Sequence, residues 1–176
     1  MELQKALEGH KKEIVSLWLE RTLNSYKSSG FFKKENDSFA NPVGVNIKEA
    51  LNTIFDLLIT NAEQPDYTEA LDQIIRIRAV QTFTPAQAVA PLLELKWVIK
   101  QVFSAKENTE PLLRELDTLD CDVDRIALMG FNLYVECREQ IYRGRIKEIK
   151  SGSYVITDAG CPSKMLQDRP RALKNN

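Results

Sequence analysis

Apolar residues recur every three to four positions along most of the chain, the spacing of helices that bury one side. Leu3, Leu7, Ile14, Leu17 or Trp18, and Arg21 or Thr22 keep that period and predict a first helix over about residues 2–26. Gly9 marks a break within it, and Ser28-Ser29-Gly30 ends it. Asn41-Pro42 starts a second helix, with Asn as N-cap and Pro in the first turn. Val43, Ile47, Leu51, Ile54 and Leu58 form its stripe, which closes near Asn61. A third helix spans about 66–82, with Leu71, Ile74, Ile75 and Ile77 on its buried side. Thr84-Pro85-Ala86-Gln87 is a capping box with Pro at the first helical position, and opens a fourth. Its stripe is Ala88, Leu92, Leu95, Ile99 and Val102 or Phe103. Pro91 has no N–H and crowds the preceding turn, so a kink or tightened turn is expected there.

A short fifth helix is expected over about 110–119 and a long sixth over about 122–150. The stripe of the sixth is Val123, Ile126 or Ala127, Gly130, Tyr134, Cys137 and Ile141. After Ser151 the pattern fails. Tyr154-Val155-Ile156-Thr157 could form a short strand without an obvious partner, and Gly160, Pro162 and Pro170 suggest a loose tail. The expectation is an all-α domain over 1–150 followed by an irregular tail over 151–176.

Composition narrows the function classes. Lys+Arg is 24 and Asp+Glu is 25, so no basic excess calls for nucleic acid. Apolar runs are too short for a membrane span, and the N-terminus lacks an apolar signal core, which points to the cytoplasm. Cys121, Cys137 and Cys161 include no Cys-x-x-Cys pair, and His10 is the only histidine, so reduced thiols and no metal site are expected. No phosphate loop, nucleophile elbow or carboxylate pair suggests an enzyme. Asp117, Asp120, Asp122 and Asp124 cluster at an expected helix start, where capping and the helix dipole explain them.

The third helix carries the candidate chemistry. At about 100° per residue, Arg78 and Gln81 fall on the same side as Leu71, Ile74 and Ile75. A buried guanidinium must be paired or hydrogen-bonded. Arg78 therefore either pairs with a carboxylate or carbonyls of a neighbouring helix, or lines a small polar site with Gln81 for an anionic or amide ligand. Trp18 reads as core or as a platform beside such a site. His10 reads as a solvated histidine on a charged helix.

Three segments together resemble a known family. They are Asn41-Pro42-Val43-Gly44, then Ile75-Arg76-Ile77-Arg78-Ala79-Val80-Gln81, then Thr84-Pro85-Ala86-Gln87-Ala88-Val89; Cys137-Arg138-Glu139-Gln140-Ile141-Tyr142 fits too. Over about residues 10–148 they resemble the RsbRD-type N-terminal domain, the sensor half of RsbT co-antagonists of bacterial stressosomes. The resemblance implies a haem-free globin-like fold, usually dimeric, that passes a signal to a STAS output domain. Pro91 departs from the larger helix former expected there, and the tail is too short for a STAS domain, so the output is expected in a separate protein. The resemblance places no ligand site residue by residue.

The leading expectation is thus a stand-alone signalling domain with no cofactor, pairing as a homodimer through its first and last helices. His10, Leu17, Tyr134 and Ile141 are the candidate interface residues. The alternative is a binder of fatty acids or other anions, with the carboxylate near Arg78, Gln81 and Trp18. Haem needs an axial ligand, ordinarily a His on a later helix, and His10 cannot serve.

Overall fold

The computed structural model describes residues 2–26, 41–60, 64–106, 112 and 114–151. Among the described residues six helices are given bounds: α1 Glu2–Gly9, α2 Lys11–Asn24, α3 Pro42–Ile59, α4 Thr68–Ala79, α5 Pro85–Ser104 and α6 Leu116–Ser151. A 3-10 turn at Gln64–Tyr67 leads into α4. The protein is all-α, with no strand among the described residues, and its helices are compatible with a globin-like bundle. The chain divides into two compact units, Met1–Glu139 and Gln140–Asn176.

The core lies in the first of these units. Trp18 of α2, Ile47, Leu51, Ile54 and Phe55 of α3, Leu71 and Ile75 of α4, and Val98 and Phe103 of α5 are fully buried. Each large side chain of this kind contributes about 1.5–3 kcal/mol on leaving water. Packing joins α2 to α5 and α3, and α3 to α4. Gly130 of α6 faces Leu92 of α5 and Ile75 of α4. A Cβ there would lie 2.7 Å from Leu92 Cδ1.

The starts follow the sequence. Asn41 accepts from the Gly44 amide at 2.9 Å, and a Cβ on Gly44 would run into that same side chain. The Asn-Pro-Val-Gly segment is therefore one capping device: the cap folds back over the only residue that leaves it room. At α5, Thr84 accepts from the Gln87 amide, and Gln87 Oε1 accepts from the Thr84 amide. The first helix breaks after Gly9, as its sequence suggests, and His10 precedes α2.

Two boundaries differ from the sequence reading. The third helix ends at Ala79, not near Thr82, because the chain turns through Val80 and Gln81. The last helix begins at Leu116 and absorbs the aspartate cluster. Asp120, Asp122 and Asp124 lie inside it and pair with Lys100, Arg125 and Lys96, so lateral charge pairing rather than capping explains them. Helix α5 runs on through Pro91 as an α-helix. The expected strand at 154–157, Cys161 and the tail after Ser151 lie outside the described residues, as do positions 110, 111 and 113 of the expected fifth helix, while its positions 116–119 belong to α6 rather than to a separate helix.

Candidate functional site

Arg78 sits in the last turn of α4 and has 0% exposure. Its Nη2 donates to the Gln87 carbonyl at 2.8 Å and to Ser25 Oγ at 3.0 Å. The guanidinium carbon lies 4.2 Å from the Phe83 ring centroid and 4.9 Å from that of Tyr26. Those two rings meet edge to face, 5.3 Å apart. Burial lowers the Arg78 pKa, opposed by the Tyr26 side chain and the Glu94 carboxylate. Burial likewise raises the Tyr26 phenol, opposed by Arg78.

The choice of Gln87 as acceptor has a physical cause. In an α-helix the carbonyl at position 87 accepts from the amide at 91. Position 91 is proline, so that carbonyl loses its partner inside the helix. Arg78 supplies the missing donor from another helix. Trp18 Nε1 donates to the carbonyl of Pro91 itself at 2.6 Å. Two of the three residues expected to touch a ligand thus converge on one proline-interrupted turn. Nε and Nη1 of Arg78 have no hydrogen-bond acceptor among the described residues. The third residue, Gln81, follows the end of α4 and is half-buried, so the helical wheel that aimed it beside Arg78 does not apply to it.

The expected interface residues are dispersed. Tyr134 is buried in its own chain, and its hydroxyl donates to the Phe83 carbonyl at 2.6 Å. That bond fixes the α4–α5 turn rather than offering the ring to a partner. His10 is half-buried, 6.0 Å from the Phe103 ring and 3.9 Å from Glu13, so it is less solvated than expected. Leu17 is partly buried against the core. Ile141 is half-buried on α6.

The sequence reading missed an open apolar groove of about 780 Å³ between α5 and α6. Pro85, Val89 and Leu93 form one wall, and Ala127, Leu128 and Phe131 the other. Asp124 is the charged residue of its lining. Around it Leu128 is 66% exposed and Trp97 45%, with Leu93, Phe131 and Val135 also exposed. Arg21 bonds Glu94 at 3.1 Å and stacks 4.2 Å over the Trp97 ring. This face had a sequence signal. Leu93 and Trp97 are four apart on α5, as Leu128 and Phe131 are three apart on α6, and both pairs lie off the buried stripe of their helix.

Compared with known proteins, residues 12–149 match the sequence profile of the RsbT co-antagonist protein RsbRD N-terminal domain. The chain belongs to this family. A protein of Archaeoglobus fulgidus described as uncharacterized is 27% identical over 142 residues, covering 78% of this chain and 83% of its own. No solved structure matches the chain. In this RsbRD-type domain, no group of three or more His, Cys, Asp or Glu among the described residues could hold a metal ion. No helix among them is long and apolar enough to cross a membrane.

Proposed function

We propose that this RsbRD-type domain is a cytoplasmic sensor and regulatory module that acts through protein–protein contact. It pairs with a second copy of itself and hands its signal to a separate output protein. The observation that carries the reading is the exposed apolar face on α5 and α6. Large contiguous apolar patches on a folded surface mark interaction sites, and aromatic residues such as Trp97 and Phe131 are the usual anchors of such contacts. The family supports the same reading, since its name describes a domain of a co-antagonist protein.

Affinity capture from native cells tests it, comparing the wild type with a Leu93→Lys, Trp97→Lys variant of unchanged helicity. A defined protein should be retained by the wild type and lost by the variant. Identical captured sets from both would contradict the reading.

A second reading is favoured by the buried Arg78, whose Nε and Nη1 could meet an anionic ligand. The apolar groove does not include Arg78, Gln81 or Trp18, and its charged residue is the acid Asp124, so a fatty-acid carboxylate finds no cation there. Native mass spectrometry and thermal shift with fatty acids and small anions test this reading. No retained mass and no shift in melting temperature would reject it.

A further inference from the structure

Arg78 carries a full positive charge at 0% exposure, and the groups bonded to it are neutral. Its hydrogen bonds run to the Gln87 carbonyl and to the Ser25 hydroxyl. Ser25 gives its own hydrogen to the Thr22 carbonyl at 2.6 Å, so toward Arg78 it is an acceptor only. Glu94 acts on Arg78 through space, but it pairs with Arg21 at 3.1 Å, and that pair is neutral as a whole. The Tyr26 phenol keeps its proton, since burial raises its pKa. The carboxyl end of α4 and the amino end of α5 bring partial charges of opposite sign to Arg78 and Gln87, so the helix dipoles offset one another. A guanidinium does not answer burial by shedding its proton. One positive charge therefore remains in the interior without a counter-charge among the described residues.

The donors tell the same story. Both hydrogens of Nη2 are used. The hydrogen on Nε and the two on Nη1 are buried with no acceptor among the described residues. An unpaired buried charge with idle donors is costly, and the partner that relieves both costs at once is an anion.

We propose that the idle Nη1 side of the Arg78 guanidinium binds a compact monovalent anion, of the class of chloride, bromide, nitrate and formate, and that this ion steadies the bond from Nη2 to Gln87. The inference rests on the reading of Arg78 as an anion site and names the class of ion. Charge sets the valence, since one cation balances one negative charge. Burial sets the size, since a side chain with 0% exposure gives no room to a long-chain or bulky organic anion. The rings of Phe83 and Tyr26 beside the guanidinium favour ions that lose their water easily. Gln87 lies in the first turn of α5, next to Pro85 and Val89 of the groove wall. Ion occupancy thus reaches the apolar groove through a single hydrogen bond.

The test measures the melting temperature of the full chain as sodium gluconate is exchanged for bromide, chloride or nitrate at constant ionic strength. The expected result is a saturable rise, about 3–6 °C at about ten times the dissociation constant. A folded Arg78→Met variant should lose that rise. Crystals of the wild type grown in bromide decide the matter even where the variant does not fold, and should show anomalous scattering in contact with Nη1. No saturable rise, a rise that survives in Arg78→Met, or bromide at surface positions only overturns the inference. Should a fatty acid be retained in native mass spectrometry while the compact ions fail, the compact-ion class falls and the anionic-ligand reading stands. Failure of both overturns that reading as well.

Discussion

Arg78 shows how one backbone defect can recruit a distant side chain. A guanidinium with 0% exposure is costly unless its donors are used. Its Nη2 is used on the carbonyl that Pro91 leaves without an amide partner, and the faces of Phe83 and Tyr26 supply further favourable contact. The two residues are therefore energetically coupled. Arg78→Met should cost about 1–3 kcal/mol by stranding the Gln87 carbonyl. In a Pro91→Ala background position 91 regains its amide, and the same change should cost about 1 kcal/mol less. Urea denaturation of the four proteins measures the coupling, and additive costs would show that Arg78 does not serve the proline.

Tyr67 gives a pH dependence of defined sign. Burial raises its pKa to about 12, with Asp122 and Asp66 adding to the effect. In the unfolded chain a tyrosine titrates near about 10. Between these values the folded protein holds a proton that the unfolded chain has lost, so stability present below about pH 10 falls as pH rises toward 12. Tyr67→Phe should flatten that fall in a denaturation series from pH 9 to about 12. An unchanged slope would assign the loss to other groups.

At the scale of elements, the sequence was most legible where local chemistry decides. The starts of α3 and α5 were readable because Asn41, Pro42, Thr84, Pro85 and Gln87 act on amides within their own first turn. Asn41→Ala and Thr84→Ala should each cost about 1 kcal/mol, read as a lower denaturation midpoint with an unchanged m-value. A neutral Thr84→Ala would mean that Arg78 and Trp18 alone hold the start of α5.

Helix ends and partnerships were less legible because tertiary contacts decide them. Gln81 keeps the period of α4, yet the chain turns there, where Arg138 donates to the Ala79 carbonyl and Tyr134 to that of Phe83. The burial of Arg78 could be read from its wheel position, whereas its acceptor could not. That acceptor lies on another helix and is exposed by a proline in that helix. The aspartates of α6 misled for the same reason. Their partners Lys96 and Lys100 come from α5, which no local pattern reveals.

At the scale of the molecule, family and geometry point the same way. The domain matches the RsbRD N-terminal family over residues 12–149, and Arg78 and Trp18 are occupied in bracing α5. That bracing sets one wall of the apolar groove. Pro85, Val89 and Leu93 stand on the stretch of helix that Arg78 and Trp18 hold around Pro91. A loosened brace should therefore weaken protein contact at the groove without touching it. Arg78→Met is expected to lower retention of the captured partner by several-fold at a temperature where the variant stays folded. Full retention would separate the buried brace from the exposed face.

Sedimentation velocity of the full chain over a concentration series tests the central claim, that this domain works through protein contact on its exposed apolar face. The account predicts a species of twice the chain mass that persists on dilution to low micromolar concentration. It also predicts that Leu128→Lys, Val135→Lys shifts it to the monomer with unchanged helicity. A wild-type chain that stays monomeric at every concentration, with Leu128 and Phe131 open to solvent, would contradict it.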